Sequence, residues 1–295
     1  MENNRHALLL GLAAVLFWST AATAFKLALV DLSVLQLLAV AITTSAFALA
    51  VAAAVQQRLG EVLGLLRREP LYFSALAGLN PLLYYCILLA AYDRLPAQQA
   101  QTINYTWAVT LAVLSIPALG HRLAARDWFA VLLGYFGVVI IATEGAPLSL
   151  EFTSPAGVAL ALASTVVWAV FWLASTRSRH DPVVALTAGF LCATPPAILL
   201  ALGLGGGVPA VGTGLVSAIY VGLFEMGFTW LLWSAALRSA DNVSRVGNLI
   251  FLSPLLSLGL IAVVLDEAIH PATLIGFALI LPGLVWQQRG AGRKG

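Results

Sequence analysis

The sequence of 295 residues has little charge: Asp, Glu, Lys and Arg together make up 9% of it, against about 25% in an ordinary soluble domain. A soluble chain of this size needs far more charged side chains to cover its surface, so a water-soluble globular enzyme is excluded. Hydrophobic residues make up 61%, which excludes an intrinsically disordered chain as well.

Cysteine and histidine are scarce, and the few that are present are scattered. Cys86 and Cys192 both lie inside apolar stretches, which argues against a disulfide framework and against a metal-ligand pair. The four histidines stand singly in tails or turns, so neither a metal site nor a cofactor is predicted. A Gly-rich phosphate-binding loop is also missing, which argues against ATP-driven transport by this chain alone. The net charge of +2 gives no reason to expect a nucleic-acid partner.

Long apolar runs, bounded by charges, Pro or Gly, take up most of the sequence. A transmembrane helix needs about 20 predominantly apolar residues, and about ten such runs are present. We therefore expect an all-α integral membrane protein with ten transmembrane helices, in contact with the lipid bilayer. The predicted spans are 7–28, 33–55, 71–91, 97–118, 127–144, 155–175, 182–203, 212–236, 242–264 and 271–288. The connections, including 56–70 and the Gly-rich piece 203–207, are predicted to be turns.

The positions of the basic residues predict the orientation. With a cytoplasmic N-terminus, thirteen of the fifteen Lys and Arg residues fall on the cytoplasmic side, and only Lys26 and Arg94 fall on the other. This is the bias expected of membrane proteins, so both termini are predicted to be cytoplasmic. A signal peptide ending near 22–24 is the alternative for the N-terminus, but Trp18 and Ser19 are unusual in a signal core.

The two halves of the sequence resemble each other. Phe17-Trp18-Ser19 is answered by Val167-Trp168-Ala169 at an offset of about 150, and later segments match at an offset of about 146. Five helices per half is an odd number, so the halves 1–147 and 148–295 are expected to have opposite orientations. Inverted repeats of this kind are typical of secondary transporters, in which the substrate site lies near the midplane between the halves.

The sequence resembles the EamA type of the drug/metabolite transporter superfamily. The residues that carry the match are Phe17-Trp18-Ser19, Pro254, Asp266-Glu267, Gly276 and Gly283, the last four fitting the family's run of Pro, Glu and two Gly. The first half departs from this run, with Ala108 in place of Pro and His121 in place of Glu.

The resemblance covers essentially the whole chain. It implies two inverted five-helix repeats around a central cavity, and export across the bacterial inner membrane by alternating access. Within the family the sequence resembles bacterial exporters of aromatic amino acids, so aromatic and other neutral amino acids are the substrates that the resemblance implies. The alternative is export of cationic toxins such as methyl viologen.

Polar and aromatic side chains inside the spans fall on particular helix faces. Because amides are costly in hydrocarbon and prefer the bundle interior or a wet cavity, we expect a central cavity. Its predicted lining residues are Trp18, Ser19, Asn80, Tyr84, Gln101, Asn104, Tyr105, Trp168, Phe171, Trp172, Phe228, Ser244 and Asn248. The competing interpretation is that the rings only pack and that the amides hydrogen-bond neighbouring helices.

Glu225 lies near the middle of its span, where an ionised carboxylate is costly. It is predicted to be a proton site or the partner of a substrate amine, and the alternative is a structural hydrogen bond to a neighbouring helix. Phosphorylated substrates are not expected, since they need Arg or Lys in the cavity. An intramembrane enzyme is disfavoured because Glu225 stands alone and every His lies in a turn or tail.

The remaining intramembrane features have structural interpretations. The aromatic residues near span ends, Trp128, Trp233, Trp286 and Tyr72, are assigned to the interfacial belt. Lys26 is expected to extend to the membrane surface. The sets Gly134/Gly137 and Gly276/Gly283 are expected to allow close helix packing, and they leave the choice between a monomer and a homodimer open. Pro81 is predicted to be a hinge or a static kink.

Overall fold

The computed structural model describes residues 2–119, 125–148, 152–175, 180–241 and 246–291. Regular structure in these ranges is helical throughout, and strands are absent from them. Six continuous helical stretches in these ranges, some of them made of two consecutive helices, are long and apolar enough to cross a membrane: Arg5–Leu29, Val34–Val55, Pro70–Arg94, Pro155–Ser175, Pro182–Leu204 and Thr213–Ser239. Shorter apolar helices cover Val131–Ala142, Asn248–Val264 and Pro271–Leu281. The all-α membrane class is therefore confirmed, and the count of ten spans stays a prediction.

The helices follow one another with short connections. In chain order they are α1 (Glu2–Ser19), α2 (Ala21–Leu29), α3 (Val34–Val55), α4 (Leu59–Arg68), α5 (Pro70–Ala77), α6 (Tyr84–Arg94), α7 (Ala97–Asn104), α8 (Trp107–Leu119), α9 (Ala125–Ala142), α10 (Pro155–Ser175), α11 (Pro182–Leu204), α12 (Thr213–Tyr220), α13 (Thr229–Ser239), α14 (Leu252–Val264) and α15 (Pro271–Ala291). Two π-helical segments, Gly78–Leu83 and Val221–Phe228, join α5 to α6 and α12 to α13.

The connection 56–70, predicted to be a turn, contains the ten-residue helix α4. Val62 and Leu65 are buried on one side of it, and Arg67 and Arg68 lie in its last turn, where they complement the helix dipole. A short amphipathic helix has neither the length nor the uniform hydrophobicity of a span, so a search for apolar runs passes over it.

Two spans are interrupted near the bundle centre. Asn80 has extended backbone angles, φ −145° and ψ 122°, because proline disfavours the helical conformation of the residue that precedes it. The predicted span 97–118 breaks between Asn104 and Trp107, where the Thr106 amide and hydroxyl both donate to the carbonyl of Ile103 at 3.1 and 2.7 Å. Irregular backbone at this depth is tolerated only when protein or a cavity surrounds it.

Helices α1 and α10 make corresponding contacts, each with helices from the other half of the chain. α1 packs against α13 and α14, while α10 packs against α6 and against α7 and α8. α3 packs along α11, and α9 packs along α15. Each contact that α1 makes with the second half of the chain is thus matched by a contact that α10 makes with the first half.

The α9–α15 pair is held closely together by glycine. A Cβ added to Gly137 would lie 2.8 Å from the carbonyl oxygen of Gly276, and one added to Gly276 would lie 2.7 Å from that of Gly137. No side chain fits at either position without separating the helices. Close packing, predicted for these glycines, is confirmed for this pair; Gly134 meets Val109 instead, and Gly283 lies outside the described side chains.

Candidate functional site

Four aromatic side chains from four helices form a continuous cluster near the middle of their spans. The ring of Trp168 in α10 lies 4.6 Å from that of Tyr84 in α6 and 5.8 Å from that of Trp230 in α13. Trp230 in turn lies 5.2 Å from Trp18 in α1, with their planes at 74°. These centroid distances are those of direct aromatic packing. The structure therefore brings together three residues that the sequence predicts to line one cavity.

The cluster continues along α10. Phe171 lies 5.7 Å from Trp168, and Trp107 of α8 lies 6.4 Å from both Trp168 and Trp172. Trp107 and Trp172 are nearly parallel, at 7°. Since Trp172 keeps 36% of its surface exposed, this end of the cluster is open, whereas Trp168 is buried.

Polar groups gather on the α6 side of the cluster. The Tyr84 hydroxyl donates to Oδ1 of Asn104 at 3.3 Å, and Nδ2 of Asn104 donates to the Ser164 hydroxyl at 2.9 Å. The Tyr85 hydroxyl donates to Oε1 of Glu225 at 3.2 Å. Oε2 of Glu225 is buried and has no hydrogen-bond partner among the described residues. One acceptor of this carboxyl is therefore available to a donor from outside the chain.

The π-helical segment Val221–Phe228 positions Glu225. A Cβ added to Gly222 would lie 2.5 Å from the carbonyl oxygen of Ala41 in α3, so the glycine lets the segment lie directly against that helix. The ring of Phe224 stacks on Phe17 of α1 at 4.6 Å. Because π-helical turns inside α-helices occur frequently at functional sites, the placement of a carboxylate in this one singles it out.

Two residues predicted to line the cavity are hydrogen-bonded to a neighbouring helix. Nε2 of Gln101 donates to the carbonyl of Pro254 at 3.4 Å, and its Oε1 accepts from the Ser257 hydroxyl at 2.7 Å. The Tyr105 hydroxyl donates to that of Ser253 at 3.2 Å. Both side chains thus join the fourth predicted span to the ninth, which is the kind of contact that the competing interpretation expects; their role in lining the cavity stays a prediction.

The other predicted residues lie apart from the cluster. The Ser19 hydroxyl donates to the carbonyl of Leu16 in its own helix at 2.6 Å. Asn80 lies in the helix break, with a buried Oδ1 that has no partner among the described residues. Phe228 lines an open groove of about 440 Å³ with Gln56, Val183 and Arg238, and Asn248 is exposed. Ser244 lies outside the described residues.

Several residues of the candidate site or its immediate support are missing from the sequence-based set. They are Tyr85, Trp107, Ser164, Phe224 and Trp230. Trp230 stands 146 positions after Tyr84, the offset of the repeat, and that offset could have identified it. Trp233, assigned to the interfacial belt from the sequence, packs 5.4 Å from Trp18. The assignment followed from its position near the end of the predicted span, which does not indicate the contact with Trp18.

Charged groups cap helix ends at the end of the bundle away from the N-terminus. The Lys26 ammonium donates to the carbonyls of Tyr92 and Leu95 at 2.8 and 3.0 Å. The Glu267 carboxylate accepts from the backbone N–H groups of Ala97 and Gln98 at 3.0 and 3.2 Å. Each charge thus satisfies unpaired groups at a helix terminus. Lys26 is half-buried rather than extended to the surface, because these carbonyls hold its ammonium.

The N-terminal end of the bundle is joined by ion pairs. Arg58 bonds Glu61 at 2.8 Å and Asp181 at 2.8 Å, so it links the start of α4 to the start of α11. Burial opposes ionisation of Asp181, but the hydrogen bonds from Arg58 and from the Val183 amide are together stronger and lower the pKa of that carboxyl. The hydrogen bond from Arg58 likewise lowers the pKa of Glu61.

No group of three or more His, Cys, Asp or Glu side chains that could hold a metal ion occurs in the part of the chain that the structure describes. The groups that the structure does bring together at the candidate site are aromatic faces, hydroxyls, an amide and one carboxyl. These groups can stack on a ring and hydrogen-bond a small polar head group.

Comparison with known proteins gives one family. The model of the EamA-like transporter family matches residues 5–143 and again 155–286. The aromatic amino acid exporter YddG of Ancylobacter novellus is 28% identical over 283 residues, covering 94% of this chain and 95% of that protein. The uncharacterized transporter YvbV of Bacillus subtilis is 27% identical over 225 residues, covering 73% of this chain and 70% of that protein.

A solved crystal structure matches over nearly the full length. It is 24% identical, covers 98% of this chain and 99% of that chain, and superposes with a TM-score of 0.68. This likeness establishes the fold, and the twofold match of the family model establishes the family.

Proposed function

Since the chain belongs to the EamA-like transporter family, a multi-pass membrane family of transporters, we propose that it exports aromatic and other neutral amino acids. The observation that carries the proposal is the cluster of Trp18, Trp230, Trp168 and Tyr84, which lies beside a carboxyl that has an unused acceptor. The similarity to an aromatic amino acid exporter supports the same substrate class.

The aromatic side of the site suits the side chain of the substrate. Trp18 and Trp230 meet edge to face, and Trp233 lies 5.4 Å from Trp18. Indole faces provide large apolar surfaces on which a phenyl or indole ring stacks favourably. They discriminate only weakly among neutral side chains, so smaller neutral amino acids are expected to be accepted with lower affinity.

The polar side suits the head group of an amino acid. An ammonium has only donors, and Oε2 of Glu225 is a buried acceptor without a partner among the described residues. The amide of Asn104 and the hydroxyl of Tyr84, bonded to each other at 3.3 Å, lie on the same side. In the absence of substrate, a proton on Glu225 would remove the cost of the buried charge, so the same group can serve as the amine partner or as a proton site.

Movement is proposed to be alternating access between inverted halves, with both termini cytoplasmic. The exchanged contacts of α1 and α10 support a pseudo-two-fold relation between 1–147 and 148–295. Contacts between the halves at the two bundle ends, such as Glu267 with Ala97 and Arg58 with Asp181, would open in turn. The bias of Lys and Arg toward one side supports the orientation.

A second candidate is export of an organic cation. The unused acceptor of Glu225 beside aromatic rings favours it, because cations bind aromatic faces and carboxylates together. A quaternary cation carries no N–H, however, so it could not donate a hydrogen bond to the second oxygen of this carboxyl.

The experiment is uptake of labelled phenylalanine and tryptophan into liposomes that contain the purified protein. Threonine, methyl viologen and a nucleotide-sugar serve as competitors. Saturable uptake, blocked by aromatic amino acids, weakly blocked by threonine and unaffected by the nucleotide-sugar, is the expected result. Transport of methyl viologen without amino acid uptake would replace the proposal with the second candidate, and linear unsaturated flux would contradict both.

A further inference from the structure

The amphipathic helix α4 presents two different rows of side chains to its surroundings. It connects two membrane-crossing helices, α3 and the span that begins at Pro70, so it lies at the membrane surface. Val62 is fully buried and Leu65 is 8% exposed, and α4 packs against α11. This contact fixes the rotation of the helix about its axis and so decides what its other faces meet.

One row consists of Leu59, Leu63 and Arg67. They recur every four residues and therefore lie along one side of the helix. Leu59 is 38% exposed and Leu63 is 52% exposed, and Arg67 is exposed as well. Arg67 forms no ion pair with any residue that the structure describes. An apolar strip that ends in a cation is the pattern of a helix lying in the lipid interface.

The adjacent row consists of Gly60, Gly64 and Arg68. These residues line an open groove of about 430 Å³ together with Glu61, Glu69, His180 and Asp181. No atom lies within 4 Å of a Cβ placed on Gly60 or Gly64. Arg68 therefore shares a polar groove with the carboxylates of Glu61, Glu69 and Asp181, which are themselves paired with Arg58 and His180, so this row faces a polar groove and not an apolar strip.

We propose that the row Leu59–Leu63–Arg67 binds an anionic phospholipid, with the acyl chain against the two leucines and the phosphate on Arg67. Charge complementarity decides the occupant: the row combines exposed apolar surface with one uncompensated cation, and a phospholipid combines acyl chains with a phosphate. Guanidinium groups bind phosphate in a bidentate manner. The neighbouring cation Arg68 lines the polar groove and not the apolar row, so its substitution is a matched control.

The test compares the full chain with Arg67→Gln and Arg68→Gln in nanodiscs of phosphatidylethanolamine and phosphatidylglycerol. Mass spectrometry measures the phosphatidylglycerol that remains with the purified protein after mild delipidation. The unmodified chain is expected to retain phosphatidylglycerol above its bulk fraction. Arg67→Gln should reduce that enrichment about fivefold, the effect of one basic residue at an anionic surface, and Arg68→Gln should leave it nearly unchanged.

Leu63→Asn keeps every charge and should also reduce the enrichment, since it removes the apolar contact. Thermal unfolding of each purified variant identifies one that has lost its fold. If this happens to Arg67→Gln or to Leu63→Asn, the other of these two variants tests the proposal. Equal losses for Arg67→Gln and Arg68→Gln would overturn the proposal in favour of a non-specific effect of net charge. Absence of enrichment in the unmodified chain would overturn it outright.

Discussion

The aromatic pairs Tyr84–Trp168 and Trp230–Trp18 occupy corresponding places in the two halves of the chain, yet their surroundings differ. Trp168 stands 150 positions after Trp18, and Trp230 stands 146 after Tyr84. The ring distances, 4.6 and 5.2 Å, are similar. Further indoles lie beside both pairs, Trp172 beside Trp168 and Trp233 beside Trp18. Tyr84, however, also carries a hydroxyl, which is hydrogen-bonded to Asn104.

The two halves of the chain, which the family model matches separately, thus contribute unlike groups to the candidate site. Positions that correspond by the sequence offset carry a hydroxyl in one half and only apolar rings in the other. An amino acid with an aromatic side chain has the same two-ended character. If the proposed function holds, we therefore expect the head group on the Tyr84 side and the ring on the Trp18 side, and the following changes test that assignment.

The largest effect is expected from Glu225→Gln, which removes the carboxylate from the polar side. Loss of a charge-assisted hydrogen bond to a substrate ammonium costs about 1.5–3 kcal/mol, so the KM for phenylalanine should rise about 10- to 100-fold. Uptake into proteoliposomes measures it, with Glu61→Gln, an exposed carboxylate at the bundle end, as the control. If the KM is kept and only pH-gradient-driven accumulation is lost, Glu225 is a proton site. Unchanged values for both would remove it from the mechanism.

Gln101→Ala should affect stability rather than recognition. It leaves the Ser257 hydroxyl and the Pro254 carbonyl without their partner, at a cost of about 1–3 kcal/mol. Thermal unfolding in detergent should show a lower Tm, and the KM for phenylalanine should stay the same. Gln56→Ala, an exposed amide, is the control. A raised KM at unchanged Tm would return Gln101 to the substrate site.

Trp18→Leu and Tyr84→Phe test the two sides separately. The first removes an aromatic contact of about 0.5–1.5 kcal/mol, so competition by phenylalanine should weaken about fivefold relative to competition by threonine. The second removes only a hydroxyl, so both amino acids should weaken by a similar factor of about five. Trp128→Leu, at an exposed position, controls for general loss of aromatic residues. Identical selectivity in both variants would abolish the assignment of ring and head group.

The smallest effect is a pH dependence at the N-terminal end of the bundle. Since the pKa values of Asp181 and Glu61 are below their ordinary values, the ion pairs with Arg58 stabilise the folded state at neutral pH. That contribution is lost as the pH falls from about 4 through the lowered pKa values. The Tm of the unmodified chain minus that of Asp181→Asn should be slightly positive at pH 7, unchanged to pH 5, and smaller below pH 4. A difference that grows on acidification would contradict this sign.

Much of the fold could be predicted from the sequence. The predicted span 155–175 coincides with α10, and the predicted span 182–203 starts with α11 and ends one residue before the end of that helix. Composition decides such segments because every backbone polar group in hydrocarbon must be bonded within the helix. Helix α4 and the break after Asn104 were missed, since an amphipathic surface helix and a polar interruption depend on what packs around them.

The candidate site was predicted only in part, for a related reason. Trp18, Tyr84 and Trp168 are predicted together as lining residues, and the structure brings them into one cluster. Trp107 and Trp230 were not predicted, because a tryptophan in a span carries the same local pattern whether it meets lipid or protein. The π-helical segment that holds Glu225 has no sequence signal of its own.

Gln101 and Asn104 show where local information ends. By itself the sequence determined that both amides avoid lipid, because hydrocarbon cannot hydrogen-bond them. They stand three residues apart on one helix, yet Gln101 bonds Pro254 and Ser257 while Asn104 bonds Tyr84 and Ser164. Only the tertiary structure decided that Gln101 bonds the ninth predicted span while Asn104 bonds the aromatic cluster and α10. Lipid and protein interior are about equally apolar, so hydrophobicity places a residue in the membrane but does not specify the neighbour that it faces.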